Sequence, residues 1–380
     1  MRIALVSPYS WTYPGGVTRH IEALAERFIE DGHHVRVLAP YDPPDRFASV
    51  LHRGARPQPL DAPDYLVSLG RTVGFKANGA VSNLSITAYG VATMHTELHS
   101  GGYDVVHIHE PIAPLLDEAG IRTLMLVPYG TLRYLPFAAL HDGEHHLAER
   151  YAIAILTPAA HSKIKDPPIA ERRVAGLGVT REVPGYLRLN TVEAELKRIV
   201  RVAGANEGVY PGTLRLDEEF TEDAFAEALE SHEAIHVASH FVFLAGQEWG
   251  SYLLLGDGSQ LTLERLRDSR FDFAGIELMT LSACETAMGG GRASGREFEG
   301  FGALVQQRGA KAVIASLWAV ADASTPTFME HFYRSLQQGL SKAAALRAAQ
   351  LALLDSSGSA DGDYSHPYHW APFVLMGNWL

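Results

Sequence analysis

A single cysteine, Cys284, occurs in the 380 residues. That scarcity excludes an internal disulfide framework and any zinc site built on several thiolates. Lys and Arg total 32 against 44 Asp and Glu, a formal charge of -12, and the basic residues form no block. Nucleic-acid binding is led by phosphate neutralisation, and docking on an anionic membrane needs a basic cluster, so neither partner is expected. No apolar run approaches the roughly 20 residues that span a bilayer. The opening MRIALVSPY is too short for a secretory signal, and Pro8 ends its apolar run. Low-complexity tracts and short repeats of helical or propeller type are missing too. A cytoplasmic protein is expected, with its lone thiol kept reduced.

What remains is ordinary globular material, 47% hydrophobic and 20% charged, long enough for two domains or one large one. The first third alternates strand and helix. Ile3 to Val6 is a continuous apolar run of the kind buried in a parallel sheet. After the loop PYSWTYPGGV, the spacing of Ile21, Leu24, Phe28 and Ile29 predicts a helix closed by Gly32. HVRVLAP is a second strand, residues 41 to 64 a loop, Ile86 to Leu98 a helix, and DVVHIHE a third strand. TLMLVP and YAIAIL follow as strands, and NTVEAELKRIVRVAG as a helix. AIHVAS, IELMTLSA, KAVIASLW and WAPFVLMGNWL read as further buried strands. Helices are expected near LTLERLR, over 298 to 308, and twice between Thr325 and Leu354. The grammar is α/β, with sites at the carboxyl ends of parallel strands.

Cys284 stands where the strand IELMTLSA meets the Gly-rich GGGRASG, and His240 ends the strand AIHVAS in the same way. Adjacent parallel strands would bring the two together. A free thiol has a pKa of about 8.5 and is mostly protonated at neutral pH. A histidine near 6.5 can take that proton and later protonate a leaving amine. The pair suits acyl transfer, with backbone N–H groups of Cys284 and Phe241 facing the oxyanion. Taken alone, Cys284 equally fits a small buried hydrophobe. His236 shares a strand face with His240 but lies deeper, so it is expected to pack or bond locally.

IHVASHFVF, SYLLLGDGSQLTLERL, LMTLSACETAMGGG, EFEGFGALVQQRGAKAVIASLWAVAD and HPYHWAPFVLMG, in that order, resemble the CHAT domain, a caspase-like peptidase family. VPYGTLRYLPFAALHDG fits its start, so the resemblance covers residues 112 to 380. It implies a caspase-like, mostly parallel sheet flanked by helices. It also implies a cysteine endopeptidase with His240 as general base and Cys284 as nucleophile. Trp318 and Asp322 fall at motif positions beside the site, and Glu285, next to the nucleophile, is placed to bias a substrate pocket toward basic residues. The partners implied are a protein or peptide substrate and a regulatory protein. No cofactor and no metal are implied. A non-catalytic interaction scaffold is the alternative within the same family. The residue after His240 is Phe241, where caspases have glycine.

The first third resembles a different family. MRIALVSPYSWTYPGGVTRHIEALAERFIEDGHHVRVLAP, DYLVSLGRTVGFKANGAVSNLSI and YDVVHIHEPIAP are similar to the N-terminal half of a GT-B glycosyltransferase of the phosphatidylinositol mannosyltransferase type. This implies a partial Rossmann-like α/β segment. In it Gly15 and Gly16 would approach a donor diphosphate, His109 would lie near the transferred sugar, and the segment around Tyr9 and Asn78 would face a lipid. The resulting division is residues 1 to 112 and 113 to 380. A glycosyltransferase activity is the alternative function. It would need a donor-binding half with two glutamates eight residues apart. Glu299-Gly-Phe-Gly imitates the first of these, but position 307 is Gln307.

Other motifs have local explanations. His141, His145 and His146 in HDGEHH lack the order of a helical zinc site and read as a solvated turn, and His366 and His369 carry no metal signature. GGGRASG lacks the Lys-Ser/Thr ending of a phosphate loop.

Overall fold

The structure, a computed structural model, describes residues 1–7, 9–13, 16–42, 62–77, 80–84, 88–109, 121–128, 132–133, 135–164, 166–169, 171–186, 188–242, 244, 248–282, 296–318, 320, 323–358 and 362–380. The chain forms two compact units, Met1–Pro128 and Tyr129–Leu380.

Unit 1 is built on the apolar run β1 (Arg2–Val6), buried from Ile3 onward. Parallel neighbours flank it on both sides: β2 (His34–Ala39) and β6 (Val105–Ile108). β3 (Leu66–Ser68) extends the sheet beyond β2, and β7 (Thr123–Leu126) pairs with β6, again in parallel. β4 (Val73–Ala77) and β5 (Ala80–Leu84) form a separate antiparallel pair. Helix α1 (Gly16–Glu30) connects β1 to β2 and buries Ile21, Ala25 and Phe28, one stripe at helical spacing. Gly32, at φ +76°, ends it. The N–H of Gly32 reaches the carbonyl of Ile29 at 2.8 Å, and that of His33 reaches Phe28 at 2.9 Å, which satisfies carbonyls the helix end would otherwise orphan. Helix α2 (Ala88–Ser100) precedes β6.

In unit 2 the strands are β8 (Ala152–Ile155), β9 (Val174–Gly178), β10 (Val200–Arg201), β11 (Tyr210–Leu216), β12 (Ala234–Ala238), β16 (Leu278–Leu281), β17 (Ala312–Ser316) and β18 (Phe373–Gly377). Their order is β10-β11-β9-β12-β16-β17-β18-β8. Pairing is parallel except between β17 and β18. Alternate residues feed two cores. Ile235, Val237, Met279, Leu281 and Val313 face one, with helices α4 (Glu222–Ser231) and α5 (Arg296–Gln307). Ala234, Leu278, Ala312 and Ile314 face the other, with α6 (Thr325–Gln337) and α7 (Lys342–Leu354). The expected mostly parallel sheet flanked by helices is present.

Helix α3 (Val192–Ile199) sits very close to the sheet. A Cβ on Gly178 would come within 2.6 Å of both Leu196 and Val192, so glycine there admits the helix. A small antiparallel sheet completes unit 2: β13 (Phe241–Val242), β14 (Tyr252–Leu254) and β15 (Gln260–Thr262). It corrects one expectation. LTLERLR is not an α-helix but the end of β15 followed by a 3-10 turn over Arg265–Arg267. Leu261 and Leu263 are both buried at strand spacing, and Leu261 lies opposite Leu253. Three leucines in so short a run satisfy a period of 2 as well as one of 3.6.

Candidate functional site

The carboxyl edge of the unit 2 sheet carries the described residues predicted for the peptidase site, His240, Phe241 and Trp318. β12 is buried throughout, between β9 on one side and β16 on the other. It meets β16 in parallel register, with Ala234 opposite Leu278 and Val237 opposite Leu281, pairs 44 residues apart. The ladder continues one step further, as the N–H of Ser282 donates to the carbonyl of Val237 at 2.8 Å. Cys284, Glu285 and Asp322, and with them GGGRASG, lie outside the described residues.

His240 lies two residues past the end of β12 and is 2% exposed. Its backbone is fixed from below. Its carbonyl accepts the N–H of Leu254 at 2.9 Å, and the Ser239 hydroxyl donates to the Leu254 carbonyl at 2.6 Å. The ring meets that of Tyr186, with centroids 5.1 Å apart. Tyr186 is itself tied to Tyr252, hydroxyl to hydroxyl, at 2.7 Å. Burial, reinforced by Tyr186, pushes the Tyr252 phenol up to about 12. Phe241 is buried, begins β13 and stacks edge-on against Phe301. No sequence pattern marked Tyr186. It follows β9 in a Pro-Gly loop and becomes recognisable only once β9 is known to border β12.

Beneath this edge His236 bonds locally, as its depth in the strand implied. Its Nε2 lies 2.8 Å from Glu195 on α3, and its Nδ1 lies 3.1 Å from the Tyr333 hydroxyl on α6. Thr280 on β16 reaches the same hydroxyl at 3.0 Å. All four side chains are buried, and the group links two strands to two helices directly. On the far side of the edge, Trp318 follows β17. Its indole N–H donates to the Tyr368 carbonyl at 3.2 Å and its ring stacks on that of Tyr368. Ser316 pairs with Phe373, so the antiparallel β18 starts at the edge where β17 ends, which brings Tyr368 beside Trp318.

The other histidines have structural roles. His366 accepts the Tyr368 N–H at the start of a single helical turn, and His369 bonds Ser324. His141 and His146 face each other across an isolated bridge, and the exposed Asp142 between them is held below its usual range by backbone N–H groups of His145 and Glu144. Among the described residues no group of three His, Cys, Asp or Glu is placed to hold a metal.

In unit 1, Gly16 opens α1, while Gly15 and Asn78 lie outside the described residues. Tyr9 donates its N–H to the Ser7 hydroxyl. His109 follows β6 and stacks on His107, with centroids 4.4 Å apart, while His20 on α1 stands edge-on to His109. Burial, then the neighbouring His20, pulls His109 down to about 3. Burial, His109 and His20 pull the fully enclosed His107 well below its ordinary range as well. Neither ring nitrogen of His107 has a hydrogen-bond partner among the described residues.

The sequence profile of the CHAT domain matches residues 103–378. The chain belongs to the CHAT domain family. A second profile, Glycosyltransferase Family 4, matches residues 14–156 of this CHAT protein. A phosphatidyl-myo-inositol mannosyltransferase of Mycobacterium leprae (strain TN) is 36% identical over 122 residues, 32% of this chain and 29% of that protein. Tetratricopeptide repeat protein 28 of Mus musculus is 25% identical over 315 residues, 68% of this chain and 12% of that protein. The CHAT protein thus spans less than a third of either relative. Among solved structures, the Arg-specific cysteine proteinase gingipain R matches with a TM-score of 0.42 at 10% identity, over 100% of this chain and 77% of that one. No helix among the described residues is long and apolar enough to cross a membrane.

Proposed function

We propose that unit 2 is a caspase-like cysteine endopeptidase in which Cys284 attacks the peptide carbonyl and His240 carries the proton from thiol to leaving amine. The backbone N–H groups of Cys284 and Phe241 hold the oxyanion. The observation that carries this reading is the register. Every β12–β16 pair is 44 residues apart, and 44 residues also separate His240 from Cys284. Two strand ends in register present their next residues on one edge, which is the geometry a base and its nucleophile require. Family membership and the buried, backbone-anchored His240 support it further.

The test is cleavage of a peptide library by the full chain and by its Cys284→Ala and His240→Ala variants. The expected loss is at least a thousandfold for the first and about a hundredfold or more for the second. Undiminished cleavage by the Cys284→Ala chain would sink the reading. A thiol probe that labels Cys284 no faster than a free cysteine would favour an interaction scaffold instead.

A second reading concerns unit 1. The mannosyltransferase likeness favours residual recognition of a nucleotide sugar near Gly16 and His109. Calorimetry with a guanosine diphosphate sugar tests it, and an absence of heat at millimolar ligand ends it.

A further inference from the structure

A base must offer one ring nitrogen at one angle to the proton it takes. The bonds that anchor the His240 backbone leave rotation about its Cα–Cβ bond open, so the plane of the imidazole needs a further contact. Tyr186 supplies one. Its ring centre lies 5.1 Å from the imidazole centre with the planes 40° apart, the spacing of a packed pair of rings.

Tyr186 is itself held at both ends. Val183-Pro184-Gly185-Tyr186 is a tight turn, closed by the Tyr186 N–H on the Val183 carbonyl at 3.0 Å. Pro184 presets the first central position, and Gly185, at φ +89°, takes the left-handed backbone required at the second. At the other end the Tyr186 hydroxyl meets that of Tyr252 at 2.7 Å. Tyr252 stands on β14, the middle strand of the small sheet, opposite Val242 on one side and Thr262 on the other. The same strand reaches the base through Leu254, whose N–H holds the His240 carbonyl and whose carbonyl takes the Ser239 hydroxyl. β14 therefore grips His240 twice, at the backbone through Leu254 and at the ring through Tyr252 and Tyr186. Tyr186 is partly exposed on its loop, so loss of its side chain empties no core.

We infer that Tyr186 is a positioning residue, whose ring, tied by its hydroxyl to Tyr252, sets the orientation in which His240 serves Cys284. The inference rests on the peptidase reading of the same edge.

The test uses the full chain with Tyr186→Ala, Tyr186→Phe, Tyr252→Phe and the two phenylalanine changes combined. Histidine labelled in the imidazole ring is followed by NMR, and the His240 signal is recognised by its loss in His240→Ala. In the unaltered chain that signal should be sharp and displaced by the ring current of Tyr186. It should broaden or lose that displacement in Tyr186→Ala, and Tyr186→Phe should restore most of it. Cleavage of library peptides is measured in parallel. Tyr186→Ala should lower kcat about tenfold and leave KM within about twofold. Tyr186→Phe keeps the ring and should lose no more than about threefold, as should Tyr252→Phe. The two together should lose no more than either alone, since both cut the same bond.

An unmoved His240 signal in Tyr186→Ala overturns the inference. So does a rise in KM at constant kcat, which would make Tyr186 a substrate contact, or losses that multiply in the combined variant. A displaced signal in a chain that cleaves no peptide keeps Tyr186 as the residue that orients His240 and removes the peptidase reading. Cleavage that depends on Cys284 but is indifferent to Tyr186→Ala does the reverse.

Discussion

At the scale of single residues, buried charges dominate what this chain can tolerate. Glu277 is fully buried between two cations, Lys342 at 2.6 Å and Lys311 at 3.0 Å. Lys342 is also buried and adds bonds to Asn378 and to the Leu380 carbonyl. Replacing one partner strands the other in a medium that solvates it poorly. Lys342→Met should cost about 3–5 kcal/mol in urea unfolding, and pairing it with Glu277→Met should recover part of that loss. Glu195 behaves in the same way toward His236. Glu195→Ala removes the acceptor of a buried imidazole and should cost about 1–3 kcal/mol, whereas Glu195→Gln keeps an oxygen in reach and should cost less.

Among the elements, α3 is the one whose placement is most exacting. Gly178→Ala adds a methyl where Leu196 and Val192 leave only 2.6 Å, so the helix must retreat. The expected cost is about 1–3 kcal/mol, with faster hydrogen exchange in α3 and no comparable change in α7. Elements also mark how far the sequence could be read. Continuous apolar runs announced β1, β12, β16 and β17, because a strand covered on both faces has no alternation to hide. TLMLVP was legible as a strand for that reason, and it pairs with β6. The β13–β14–β15 sheet was not legible, since its strands are two or three residues long and leave no period to detect. The site divided similarly. His240 stood out as a polar tip on an apolar run. Tyr186, Glu195 and Tyr333 did not, because their meeting points with strand β12 depend on a loop and two helices far away in sequence.

At the scale of the whole molecule, two buried histidines make unit 1 sensitive to acid. In unit 1, His107 and His109 are held neutral in the fold and protonate freely once it opens. Their folded-state values lie below the unfolded value of about 6.5, so the unfolded chain binds more protons at lower pH. Full stability is present above about 6.5 and declines below it, by about 1.4 kcal/mol per pH unit for His109 as pH falls toward 3, with His107 adding a loss in the same direction. Hydrogen exchange on the intact chain should show β1 and β6 losing protection between pH 6 and 4, ahead of β12 and β16. His107→Asn should flatten that dependence. Equal acid sensitivity in the two units would contradict the assignment.

The position of β18 has a consequence for synthesis. The described strands of unit 1 have all emerged once Leu126 has left the ribosome, so they can pair on a nascent chain. Unit 2 cannot. β8, among the first of its strands to emerge, waits for its unit 2 partner β18 more than two hundred residues later, and β17 has a bare edge until Phe373–Gly377 arrives. Pairings of that range are slow and leave unpaired edges open to other chains. A ribosome stalled just before Phe373 would therefore display a finished first unit and a second one dependent on chaperones, with the edge of β17 still bare.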